Sequence, residues 1–466
     1  MKNKLFLGCL LTGMAFMFSC TKPGGENNNI STPPLQLGQP ITTATHSGAV
    51  KGTMLSGNTY TITGNLVVPQ GDTLLMQPGV RLNMGPNTWI IVHGTFISQG
   101  TQANPNYITS SSGSYICDPS QNPASDPAYA GLWGGIMCDS LCPALVLKWT
   151  HLEFGGAAVI TPQVLGSKAG DAYTLYFVNP KGYVILEDDW FYGGVDDFFR
   201  FQGGLVAAYR NTWEKNSLVS GDNLNAKNGT QGDMAFNFFI GTCTNGTKAS
   251  DKGSGGPQCW IDMYNNTYVN GGYRQSSTGR SGAIDYEQGA KGMYYNNLMV
   301  DCKFGPRVVN NPVADTANMK YGYSFQYGDD TAVTNQFYPT SYITRPQSSD
   351  IPAPSSFLPS GYQLGDKYDG TELVGKNDPQ FVNYTLPQPN HILVTSSCPQ
   401  GGYDFHLKST SPCIGKGFTG FTPLAQTLGI PLSTATNPVG VTSYQMPGKD
   451  IGCYQSDGTG NLHTTW

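Results

Sequence analysis

Only 12% of the 466 residues are charged, about half the usual share for a globular protein, and the formal net charge is -5. With no run of Lys and Arg, the chain lacks the clustered cations on which nucleic-acid binding rests. Gly 59, Pro 31 and an aromatic share of 12% favour strands and turns, and no sustained helical period runs through the sequence.

The chain opens on Lys2 and Lys4, an apolar run over residues 5–18, and Ser19-Cys20. A basic start and an apolar stretch too short to span a bilayer read as an export signal over residues 1–19. Residues 21–39 are rich in Pro, Gly and Asn, so 20–44 read as a flexible N-terminus and tether. Beyond it, residues 60–79, 80–84 and 89–98 alternate short apolar runs with Gly or Pro bends, the pattern of strands of about 3 to 5 residues between turns.

Between residues 142 and 305 five stretches repeat one design: 144–152, 182–190, 205–213, 260–268 and 292–299. Trp260-Ile-Asp-Met-Tyr-Asn-Asn-Thr-Tyr268 shows it well, as a short apolar strand, a polar pair, then a bulky residue that restarts the strand. The bulky positions Leu152, Trp190, Trp213, Tyr268 and Met299 predict an interior column, with a coil of roughly 23 residues and loops of variable length. Two positions before them stand Thr150, Asp188, Asn211, Asn266 and Asn297, predicted to take the left-handed bend and to bond up the stack. No single coil could bury such a core, so the pattern implies a solenoid.

Several phrases resemble known families. Gly64-Asn-Leu-Val-Val-Pro-Gln-Gly-Asp-Thr-Leu, Gln77-Pro-Gly79, His93-Gly-Thr-Phe-Ile and Leu132-Trp-Gly-Gly-Ile136 resemble the opening coils of right-handed parallel β-helix proteins of the pectin-lyase-like class. Asp378-Pro-Gln-Phe-Val382, Tyr403-Asp-Phe-His-Leu407, Ser411-Pro-Cys-Ile-Gly-Lys-Gly417 and Asp450-Ile-Gly-Cys-Tyr454 resemble, in order, the closing segment of secreted bacterial β-helix proteins. The resemblance implies an all-β solenoid over residues 45–456, with 306–375 as a long inserted loop, 376–456 as the closing segment and 457–466 as a tail. Met17-Phe18-Ser19-Cys20 resembles the lipobox of bacterial lipoproteins. That implies a lipid on Cys20, membrane attachment by this anchor only, and an address at the outer membrane on its periplasmic or surface face.

Of 11 Cys, Cys9 goes with the signal and Cys20 with the lipid. In an oxidising compartment Cys243 and Cys259 are placed to close a Gly-rich loop, and Cys117 to meet Cys138 or Cys142. Cys302 and Cys413 lie in strand-like phrases and read as buried apolar side chains. No CxxC or paired His at metal spacing appears.

The β-helix class includes polysaccharide lyases and glycosidases, so acids and arginines on one flank are the candidate site. They are Glu187, Asp188 and Asp189, then Asp196, Asp197 and Arg200, with Arg210 and Glu214 one coil on. Together they offer a calcium and acidic-sugar site or a general acid and base, or else they are solvated turn residues. The aromatics Trp149, Tyr192 and Tyr273 offer faces for stacking on sugars. The phrases of β-helix galacturonases and the paired arginines of pectate lyases are absent as sets, and fold alone supplies no activity. The favoured expectation is therefore non-catalytic binding of a glycan or other surface molecule, without a cofactor; the alternative is a lyase or hydrolase of an acidic polysaccharide.

Overall fold

The computed structural model describes residues 38–463 except 119, 163–166, 252–255, 278–279, 310–311, 330–332, 334–373, 376–377, 389–393 and 398–401. The export signal, Cys20, Cys398 and the proline-rich 334–373 lie outside the described residues. The rest is all-β, with long parallel sheets.

The strands form three parallel stacks, A, B and C. Stack A is an 11-stranded sheet from Pro40–Ile41 to Lys320–Gly322. Stacks B and C share a 19-stranded sheet because the long strand Thr59–Val68 pairs with both Arg81–Met84 and Trp89–Val92. From Thr95–Gln99 onward the chain visits A, B and C in turn, each strand pairing with its counterpart one circuit earlier. This path is consistent with a parallel β-helix. Residues 306–327 add one more strand to each stack, so the break in pattern comes later than the sequence suggested.

Alternation along each strand sends one set of side chains inward. In stack B the register lines up Tyr60, Leu82, Ile108, Leu152, Phe191, Trp213, Phe239, Tyr268 and Met299, all buried in one core. The rings pile face on face, with centroids 4.0 Å apart for Phe191 and Trp213 and 4.9 Å for Phe239 and Tyr268. Each such side chain stabilises the stack by roughly 1.5–3 kcal/mol through its burial.

This corrects the predicted column at two places. Phe191, not Trp190, occupies the second coil, because Trp190 pairs with His151 and faces outward. There it stacks on His463, 4.7 Å between centroids. A further coil, Gln231–Ala235 and Phe238–Ile240, also lies between those of Trp213 and Tyr268.

The polar ladder beside the column shifts with it. Asp189, not Asp188, accepts the backbone N–H of Thr150 at 2.8 Å and donates its own to Asn211 Oδ1 at 2.9 Å. Asn211, Asn237 and Asn266 continue in the same way toward Asn297, each backbone N–H donating to the next side-chain oxygen at 2.9–3.1 Å. Their Nδ2 groups donate to the carbonyls of Leu186, Ala208, Met234 and Met263. The left-handed residue is the one before each ladder position, including Arg210 at φ 59 and Phe236 at φ 57. The ladder Asn therefore serves as a buried crosslink, and its neighbour makes the bend.

The chain's own later segments cover the outer side of two stacks. On stack A, buried Asp233 accepts the backbone N–H groups of Leu424 and Ala425 at 3.0 and 2.9 Å, and Glu187 accepts that of Thr442 at 2.9 Å. On stack B, Glu214 accepts from Ser397 N–H at 3.1 Å, Thr267 from Cys453 N–H at 2.9 Å, and Thr212 bonds His463 at 2.8 Å. The eight described cysteines are all free, so the expected pairings of Cys243 with Cys259 and of Cys117 with Cys138 or Cys142 are not formed. Cys302 and Cys413 are buried.

Candidate functional site

Stack C carries the groove. Its strands Phe199–Gln202, Leu224–Lys227, Asn245–Ser250, Gly282–Glu287 and Pro306–Val308 alternate small or apolar residues inward with polar residues outward. Register aligns the outward residues into a row, Arg200, Asn225, Lys248, Asp285 and Arg307. A second row, Gln202, Lys227, Ser250 and Glu287, runs beside it. Toward the N-terminus the first row becomes Tyr176, Met137 and Ile91, so the charge begins at Arg200.

Loops between stacks B and C raise one wall. Gly221, at φ +108, lets the chain pass so close that a Cβ there would lie 2.3 Å from the Asp196 carbonyl carbon. That approach sets Ser220 and Asp222 beside Asp196 and Asp197. Together with Arg280 and Gln275, these residues enclose a groove of about 520 Å³.

Its polar groups are tightly bonded. Asp197 accepts from Arg200 Nη1 and Asn225 Nδ2, both at 2.7 Å, and from the backbone N–H of Asp222 at 2.8 Å. Asp222 in turn accepts from Asn245 Nδ2 at 2.7 Å and Asn225 Nδ2 at 2.9 Å. Lys248 stands 2.8 Å from Glu287 and 3.3 Å from Asp285, and Arg307 stands 3.5 Å from Asp285. Burial pushes the Asp222 carboxyl up to about 6 against the pull of Lys248. Burial, then Lys248 and Arg200, brings the Lys227 ammonium down to about 8. A carboxyl and an amine that both exchange protons near neutrality therefore share one groove.

Of the residues singled out from sequence, Asp196, Asp197 and Arg200 come together here. The others lie elsewhere. Glu187, 1% exposed, sits under the C-terminal segment with Lys148 Nζ at 2.8 Å, so it is no solvated turn residue. Arg210 grips Asp188 through two bonds of 2.7 Å. Asp189 is locked inside the ladder, and Tyr192 is fully buried against Tyr115 and Phe154. Trp149 is half-buried with its ring centroid 5.6 Å from that of His463, and Tyr273 is half-buried on the loop that carries Gln275 and Arg280. Among the described residues no three His, Cys, Asp or Glu side chains group as a metal site.

Asn225, Lys227, Lys248, Asp285 and Arg307 were missed. Their signal is alternation: Phe-Arg-Phe-Gln, Leu-Asn-Ala-Lys, Thr-Lys-Ala-Ser and Ile-Asp-Tyr-Glu each place a polar residue at every second position. No family model, curated protein or solved structure matches the chain.

Proposed function

We propose that this is an exported envelope lipoprotein, anchored through Cys20, whose right-handed, pectin-lyase-like β-helix binds a glycan strand along stack C. One observation carries the reading. Among the described residues, stacks A and B carry later segments on their outer side, whereas on stack C the polar residues Arg200, Asn225, Lys248 and Arg307 form the floor of a groove of about 520 Å³. Successive strands spaced about 4.8 Å apart offer hydrogen-bonding groups at a regular interval, and a chain of sugar hydroxyls suits such a track. The address is supported by the basic start, the short apolar run and Ser19-Cys20.

Cleavage of the bound glycan is a second reading, and Asp222 and Lys227 favour it. Groups that titrate near neutrality are suited to moving a proton to or from a sugar carbon or a glycosidic oxygen. A glycan array followed by an assay for released ends tests both readings. Binding without product supports the scaffold role, binding with product the enzyme, and no binding rejects both. Cys20→Ala tests the address, since loss of the membrane-bound pool is expected and an unchanged pool would sink it.

A further inference from the structure

Among the described residues, every buried cation of the groove but one has a carboxylate within ion-pairing distance. Arg200 is held by Asp197, while Lys248 and Arg307 share Asp285 and Glu287 adds a second contact to Lys248. Lys227 has no carboxylate within ion-pairing distance among the described residues, although it is only 6% exposed and lines the groove. Register gives the reason. Its flanking partners are neutral Gln202 and Ser250, and each is engaged elsewhere, Gln202 with Asn228 at 2.7 Å and Ser250 with Gln288 at 2.8 Å. Glu287 lies two strands away, roughly 10 Å by strand spacing, and is committed to Lys248. Arg280, at the rim, is exposed and screened by solvent.

We infer that Lys227 is an anion subsite of this groove, taking a carboxylate or sulfate substituent of a sugar ring and selecting acidic over neutral glycans. The inference rests on the glycan-binding reading. A ligand anion supplies the negative charge that the register leaves out between Arg200 and Lys248, and it does so where burial keeps water from screening the pair. The groups that act on Lys227 are Lys248, Arg200, Asp197 and Asp222, with Glu287 and Cys259 more remote. Burial, then Lys248 and Arg200, lowers the lysine to about 8, while Asp197 and Asp222 act against them from beyond ion-pairing distance.

The test uses the full mature chain and calorimetry with three probes: an oligogalacturonate, a sulfated galactan oligomer and a neutral galactan oligomer. At about pH 7 the wild type is expected to prefer an acidic probe by roughly tenfold, and the stronger acidic probe identifies the substituent. At about pH 9.5 Lys227 loses its proton while Asp222 and Glu287 stay ionised and Cys259 stays neutral, so the preference should fall. Lys227→Gln should abolish the preference, and Lys227→Arg should keep it without the alkaline fall. A Lys227→Gln variant that folds and still prefers acidic probes overturns the subsite but leaves the groove reading standing. A wild type that binds none of the probes overturns both.

Discussion

Asp197 bridges two coils: its Oδ2 accepts from Arg200 at 2.7 Å while its Oδ1 accepts the backbone N–H of Asp222 at 2.8 Å. An acid so placed sets the wall of the groove. Its neighbour Asp196 is half-buried and lies 3.3 Å from the Ser220 hydroxyl that donates to it. Asp197→Asn should therefore lower the free energy of unfolding by roughly 2–3 kcal/mol, since it weakens a charge-assisted network and leaves Arg200 poorly matched. Asp196→Asn should stay within about 0.5 kcal/mol. Denaturant midpoints for the two variants decide this, and equal shifts would refute the assignment.

Trp213 and Trp190 separate the inside of stack B from its outside. Trp213→Ala should cost roughly 3–5 kcal/mol, because it empties the aromatic column between Phe191 and Phe239. Trp190→Ala should act mainly on the C-terminal tail, where the indole supports His463. Limited proteolysis should then trim the tail of the Trp190 variant under conditions that leave the wild type whole. A Trp190 variant as unstable as the Trp213 variant, with its tail protected, would contradict the register.

Asp233 gives the fold a pH dependence of definite sign. Burial raises its carboxyl to about 7, although Leu424, Ala425 and Tyr209 all donate to it. Between roughly pH 4 and 7 the folded state then holds a proton that the unfolded chain has released. The contribution is fully present below about pH 4, is lost as pH rises to about 7, and stays level above that. Asp189, Glu214 and Asp262 are also raised by burial and act in the same direction. Asp233→Asn should accordingly flatten part of the fall in stability between pH 4 and 7. An unchanged slope in urea titrations across that window would show that Asp233 is already ionised in the fold.

How far the sequence led can be judged residue by residue. The strand, polar pair and bulky anchor located the turn between stacks A and B, and Asn211, Asn266 and Asn297 stand in the ladder as expected. Glu187-Asp188-Asp189 defeated the register because any of three adjacent acids fits the pattern, and only strand pairing picks Asp189. The coil holding Asn237 was passed over because Gly232 and Asp233 interrupt its apolar strand. Gly232 is required there, since a Cβ would lie 1.8 Å from the Val206 carbonyl oxygen, and Asp233 faces the covering segment. The groove was half legible. Asp196, Asp197 and Arg200 stood out by nearness along the chain, whereas Lys248, Asp285 and Arg307 are neighbours only through the stacking of circuits.

Stacked coils ordinarily behave as a one-dimensional array, in which each unit answers only to the next and unfolding can start at any point. The segment from residue 394 to 463 changes that. Translation reaches it after the coils, yet its residues bond partners as distant as Lys148, 294 positions before Thr442. Until it arrives, Asp233, Glu187 and Glu214 lack the donors that later bury with them. The coils between Lys148 and Asn296 are thus completed only when this segment docks, which couples units that a simple array leaves independent.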